Sequence, residues 1–76
     1  MPKLPTLTAH KFIKAIKKAG FYLDRSRGSH QIYLNTNKPN STVVIPVHPG
    51  HDLGKGLLKS LIKDAGFTEK EFLELL

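Results

Sequence analysis

The chain has 76 residues, with twelve Lys and Arg against six Asp and Glu for a formal net charge of +6, and no cysteine. That length predicts one domain over residues 1–76 with a thin core, since folding at this size removes only about 60 to 65% of the unfolded surface from water. The missing cysteines exclude a disulfide framework, a thiolate metal site and a thiol nucleophile.

The longest run of purely β-branched apolar residues, Val43-Val44-Ile45, stops at Pro46 and falls far short of the ~18 apolar residues of a membrane span. The start, MPKLPTLT, has no apolar stretch of the kind a secretory signal carries, so a cytoplasmic protein is expected.

Charge is unevenly spread. Residues 1–63 hold eleven Lys and Arg against only Asp24 and Asp52, whereas residues 64–76 hold Lys70 against Asp64, Glu69, Glu71 and Glu74. A body this basic attracts polyanions, which at this size means nucleic acid, an anionic membrane or an acidic protein.

Thr8 is a suitable N-cap for a helix running to about Ala19, with Phe12, Ile13, Ile16 and Ala19 on one face, Lys11, Lys14 and Lys18 on the other, and Gly20 ending it. Phe21, Leu23 and Arg25 then alternate with Tyr22, Asp24 and Ser26, the period of a half-buried strand. Gly28-Ser29 signals a turn, and His30 to Leu34 reads as the returning arm of a hairpin. Asn35 to Ser41 is expected to be a loop. Thr42 to Val47 is a third, β-branched strand whose Pro46 requires an edge or a strand end.

After His48-Pro49-Gly50-His51, a second helix is predicted to begin between Asp52 and Lys55, with Asp52 helping to start it, and to end before Gly66. Leu57, Leu58, Leu61, Ile62 and Ala65 form its expected buried stripe, and Lys55, Lys59 and Lys63 its exposed one. Thr68-Glu69-Lys70-Glu71 has the spacing of a capping box for a short last helix, whose Phe72, Leu73, Leu75 and Leu76 can close the core.

The expected fold is therefore α+β: α-β-β-β-α, a three-stranded antiparallel sheet with both longer helices on one face, plus a short C-terminal helix. That element order is also the order of a double-stranded RNA-binding domain.

Five segments carry a closer likeness: Gly20-Phe21 through Arg25, Gly28-Ser29-His30, Val44-Ile45-Pro46-Val47-His48, Asp52-Leu53-x-Lys55-Gly56-x-Leu58, and Ile62-x-x-Ala65-Gly66. In this order and combination the chain resembles the HicA toxin family of prokaryotic toxin-antitoxin pairs, departing from it at Gly54, where many relatives carry proline or a charged residue. The resemblance implies an endoribonuclease that cleaves messenger RNA, His30 of Gly-Ser-His as its catalytic residue, and a HicB-type antitoxin protein as partner and inhibitor. No metal and no small-molecule cofactor is expected.

The residues suit that chemistry. RNA brings its own nucleophile, the 2′-OH beside the scissile phosphate, so cleavage needs a base, cationic donors for the crowded phosphate, and an acid for the departing 5′-oxygen. Histidine titrates near neutral pH and can act as either acid or base. Arg25, Arg27 and Lys55 are candidates to hold phosphate oxygens, with Lys59 on the same helical stripe as Lys55. Gly28 permits close approach of the substrate backbone, and Ser29 offers one hydroxyl.

Alternatives accompany each assignment. His48 is a candidate second acid or base; His30, His48 and His51 together could instead form a zinc-type site. Tyr22 and Tyr33 are candidates for base stacking, whereas Phe21 and Phe67 read as core. A non-catalytic RNA-binding module and a basic protein-interaction domain share the same positive surface.

Overall fold

The computed structural model describes residues 4–76, leaving aside the side chain of Pro39, so the first three residues of the MPKLPTLT segment lie outside the described part. The elements run β1 (Leu7–Thr8), α1 (Ala9–Lys18), β2 (Phe21–Arg27), β3 (His30–Asn35), β4 (Lys38–Pro46), β5 (Asp52–Leu53), α2 (Lys55–Asp64) and α3 (Glu69–Leu73). Strands β2, β3 and β4 form an antiparallel sheet in that order, and the short strands β1 and β5 pair separately, Leu7 with Leu53 and Thr8 with Asp52. The expected α-β-β-β-α order with a helical tail is the one observed.

Helix α1 starts where Thr8 caps it, the threonine hydroxyl accepting the Lys11 amide at 3.3 Å. It stops because Gly20 takes a φ of 100°, a left-handed conformation open to a residue without Cβ. Lys17 and Lys18 occupy the last turn, where cations oppose the negative end of the helix dipole. The buried stripe of Phe12, Ile13 and Ile16 meets Leu58, Leu61, Ile62 and Ala65 of the α2 segment in one cluster with Phe21, Tyr33, Val43 and Ile45 of the sheet. Because the strand members of that cluster all stand on one side of the pleat, both helices cover the same face and leave the other uncovered.

The tail closes the helical layer. Thr68 and Glu71 make the expected reciprocal capping box, and Phe72, fully buried, stacks on Phe12 with ring centroids 5.1 Å apart. Lys18 reaches over to donate from Nζ to the Leu75 carbonyl at 2.9 Å.

Several expectations need correction. Leu57 is 39% exposed instead of joining the buried stripe of α2, and Leu76 is exposed rather than covering the core. Asp52 does not start α2: it lies in β5 opposite Thr8, and the N-cap is Gly54, which offers no side-chain bond. The segment Asn35 to Ser41 is not one open loop. The chain turns at Thr36-Asn37, Lys38 pairs with Asn35, and the next pairing is Thr42 with Leu34, so residues 39–41 are the part out of register. An outer strand accommodates a proline there because one row of its backbone groups needs no ladder partner. Pro46, at the end of the same edge strand, stands where its lack of an N–H requires.

Strand β2 also departs from simple alternation. Leu23 pairs with Tyr33 but Arg25 pairs with Ile32, so two residues of β2 face one of β3 at a bulge around Asp24. Odd-numbered residues before the bulge, Phe21 and Leu23, lie on the helix-covered side. Arg25 and Arg27, after it, lie on the uncovered side.

Candidate functional site

The pairings build the uncovered face in three rows. Arg27, His30 and Pro46 stand side by side at one end; Arg25, Ile32 and Val44 come next; Tyr22, Leu34 and Thr42 form the third row. Directly opposed residues of an antiparallel pair project to the same side. His30 therefore has Arg27 as its cross-strand neighbour and Arg25 one row away, and all three are exposed. The bulge makes this possible, since unbroken alternation would have sent both arginines to the helix side. Arg25 also forms an ion pair with Asp24, its neighbour in the bulge.

The hairpin turn delivers His30 to the surface. Only Gly28 and Ser29 separate the paired residues Arg27 and His30, Gly28 has a φ of 58°, and Ser29 is not in the positive region. This φ pattern belongs to a II′ turn, which needs glycine first and matches the twist of the flanking strands. An added Cβ at Gly28 would meet no atom within 4 Å, so its role is conformational. Ser29 contributes its backbone carbonyl, which accepts the Val47 amide at 2.7 Å and holds β4 against the turn.

That bond also locates His48. The chain leaves the sheet beside the hairpin tip immediately after Val47, and His48, exposed, begins a tight turn in which the His51 amide donates to its carbonyl at 3.1 Å. Gly50 takes a φ of 81° in that turn. His30, His48 and His51 do not converge with other donors: among the described residues no three His, Cys, Asp or Glu side chains are grouped to hold a metal ion.

Lys55 and Lys59 are exposed, but on α2, which packs against the opposite face of the sheet from His30. The cations that strand pairing brings beside the imidazole are the two arginines.

Tyr33 is not a stacking platform. It is 2% exposed on the helix side, its hydroxyl donates to Gln31 Oε1 at 2.8 Å, and burial pushes its phenol above the ordinary tyrosine range. Tyr22, by contrast, is 46% exposed. Phe21 is buried and Phe67 packs edge-on against it at 6.1 Å, as expected of core rings, with the Lys38 ammonium 4.7 Å above Phe67.

One structural residue went unread in the sequence. Asn35, 3% exposed, donates from Nδ2 to the Ala19 carbonyl at 3.1 Å and accepts the Asn37 amide on Oδ1 at 2.8 Å. It thus ties the end of α1 to the β3–β4 turn. An asparagine two residues before another in a polar stretch is a signal for a side-chain-closed turn.

Comparison with protein families matches residues 9–67 to the model of the HicA toxin of bacterial toxin-antitoxin systems. The chain belongs to the HicA toxin family. The matched span runs from the first residue of α1 past the end of α2, and so contains the whole three-stranded sheet and every candidate site residue. A search of curated proteins found no match. HicA membership assigns the chain the toxin side of a toxin-antitoxin system and implies a HicB antitoxin as its counterpart. No helix among the described residues of this HicA chain is long and apolar enough to cross a membrane.

Proposed function

We propose that this HicA chain is an endoribonuclease that cuts messenger RNA without a metal, with His30 as general acid-base. The observation that carries the reading is the row Arg27, His30, Pro46, with the exposed imidazole next to one guanidinium and one row from a second.

In this mechanism an RNA strand lies on the uncovered sheet face with its scissile phosphate over the first row. Arg27 and Arg25 hold the non-bridging oxygens, for which a planar guanidinium offers paired donors. Neutral His30 takes the proton of the adjacent 2′-OH, and the resulting oxygen attacks phosphorus. The arginines stabilise the added negative charge of the five-coordinate phosphorus. The bond to the 5′-oxygen then breaks, and that oxygen receives a proton. His48, beside the same turn, is the proposed donor. The products are a 2′,3′-cyclic phosphate and a 5′-OH end.

Gly28 and Ser29 leave the approach to phosphate low, as the turn has no bulky side chain. Lys55 and Lys59, on the helix-covered side, serve more distant phosphates where the strand wraps past the sheet edge rather than the reacting one. The proposed location is the cytoplasm, where messenger RNA is met, and a HicB-type antitoxin silences the toxin by covering the His30 face.

The test is incubation of wild-type and His30→Ala protein with a defined transcript, with mapping of product ends and a parallel binding measurement. His30 is exposed, so the variant should fold and bind RNA while losing cleavage by about 10²- to 10⁴-fold. Undiminished cutting by His30→Ala removes the histidine from the mechanism. RNA binding by a wild-type chain that never cuts supports a binding module instead.

A further inference from the structure

The third row of the uncovered face has no part in the chemistry just described, yet it carries the most accessible aromatic ring. The chain has four phenylalanines, two tyrosines and no tryptophan. Phe12, Phe21, Phe72 and Tyr33 are buried, and Phe67 is packed against the core beneath Lys38. Tyr22 is the remaining ring, 46% exposed, directly opposite half-buried Leu34 and on the same face as His30. The row between them contains Arg25 and Val44, the latter also 46% exposed.

We infer that Tyr22 is a stacking platform for a nucleobase of the RNA strand, one to two nucleotides from the phosphate held at His30. This rests on the ribonuclease reading for its substrate but assigns a subsite that reading does not require. Distance supports it. His30 and Leu34 are four residues apart on one strand, so their rows are separated by about 13 Å, a span that one or two nucleotides cover.

Charge and polarity support a polynucleotide as occupant. The face sets cationic groups for phosphate, Arg27 and then Arg25 along β2, next to apolar surface for bases, Tyr22 further along the same strand and Val44 across the sheet on β4. A cationic track for the backbone with an aromatic face beside it is how single-stranded nucleic acid is held without readout of base identity. An acidic protein would be served by the arginines but would have no need for the ring at that spacing. Stacking accepts every base, so Tyr22 sets which phosphate comes to rest at His30 rather than which sequence is selected.

The experiment measures binding of a short single-stranded RNA of defined sequence to the His30→Ala chain, which leaves the strand intact, alone and with Tyr22→Ala or Tyr22→Phe added. Tyr22→Ala is expected to weaken binding about 5- to 50-fold, and Tyr22→Phe, which keeps the ring, less than about 2-fold. Because the only other tyrosine is buried Tyr33, stacking also has a spectroscopic signature. Tyrosine emission falls as RNA saturates the His30→Ala protein, and the fall is lost in the Tyr22→Phe variant. Stepping one abasic nucleotide along the strand should find a position that costs the same factor with Tyr22 present and nothing further with Tyr22→Ala.

Unchanged affinity with Tyr22→Ala, or emission indifferent to saturating RNA, overturns the inference. Loss of antitoxin binding with RNA binding intact reassigns the ring to a protein partner and overturns it too. Cleavage by the otherwise unaltered chain is read in parallel. A chain that binds RNA through Tyr22 but cuts nothing refutes the ribonuclease reading alone. One that cuts equally well with and without the ring, at unchanged affinity, refutes only the stacking role. Failure to bind RNA at all overturns both.

Discussion

Replacing Phe72 with alanine tests whether the five-residue helix α3 is part of the folding unit or an appendage. The ring is fully buried and stacked on Phe12 at 5.1 Å. Truncating a buried phenylalanine costs about 3 to 5 kcal/mol through lost transfer energy and the cavity left behind. A chain of this length has a total stability on the order of 4 to 11 kcal/mol, so the substitution removes a large fraction of it. In a domain of about this size each kcal/mol moves Tm by about 4 to 8 °C, and even the lower cost predicts a fall of at least about 12 °C. Thermal unfolding followed by far-ultraviolet circular dichroism and calorimetry measures it. A cycle of Phe12→Leu, Phe72→Leu and the double variant should reveal a coupling of about 0.5 to 1.5 kcal/mol between the rings. A Phe72→Ala protein that melts within about 5 °C of wild type, with no coupling in the cycle, would falsify the claim that the tail completes the core.

Asn35→Ala removes the bond to Ala19 and the acceptor for the Asn37 amide; a cost of about 1 to 3 kcal/mol in denaturant midpoint is expected, with faster hydrogen exchange at Asn37. Glu71 is held below the ordinary carboxylate range first by the Thr68 amide it accepts, then by the Thr68 side chain and the charge of Lys38. Its stabilising contribution is thus present above the unfolded value and lost as pH falls through the lower folded one. Tm should decline in acid more steeply for wild type than for Glu71→Gln, and equal slopes would contradict the capping geometry. Arg27→Ala and Lys59→Ala should each flatten the logarithmic salt dependence of RNA binding by about 0.7, but only the arginine change should also slow cleavage.

The helices were legible because their signals are local: Thr8 and Thr68 as caps, Gly20 and Gly66 as stops, and apolar residues at helical spacing. The hairpin turn was equally plain in Gly28-Ser29. What escaped depends on partners distant in sequence. The bulge at Asp24 exists only relative to β3, and plain alternation assigned Arg25 to the side of Phe21 when its partner Ile32 holds it on the other. In retrospect the change from apolar to arginine at odd positions after Leu23 was the trace of it. Asp52 resembled a helix starter locally, but the chain paired it with Thr8. Tyr22 and Tyr33 could not be sorted without the register, which sends one outward and the other among the core side chains. His30 and its two neighbouring arginines were legible at the hairpin mouth; that Lys55, expected with them, lies on the other side of the sheet emerged only from the fold.

The spare residue in β2 has a consequence for length variants of this chain. Since each side chain takes its orientation from its partner across the ladder, omitting Asp24 would let Leu23 and Arg25 become consecutive while Phe21, Arg25 and Arg27 each keep the side they now occupy. What would vanish is the extra local coiling that a bulge imposes on its strand, and with it the ion pair that Asp24 gives Arg25. Asp24 deletion thus separates inventory from aim: an identical set of functional groups, delivered by an arm that leans differently toward whatever lies across it.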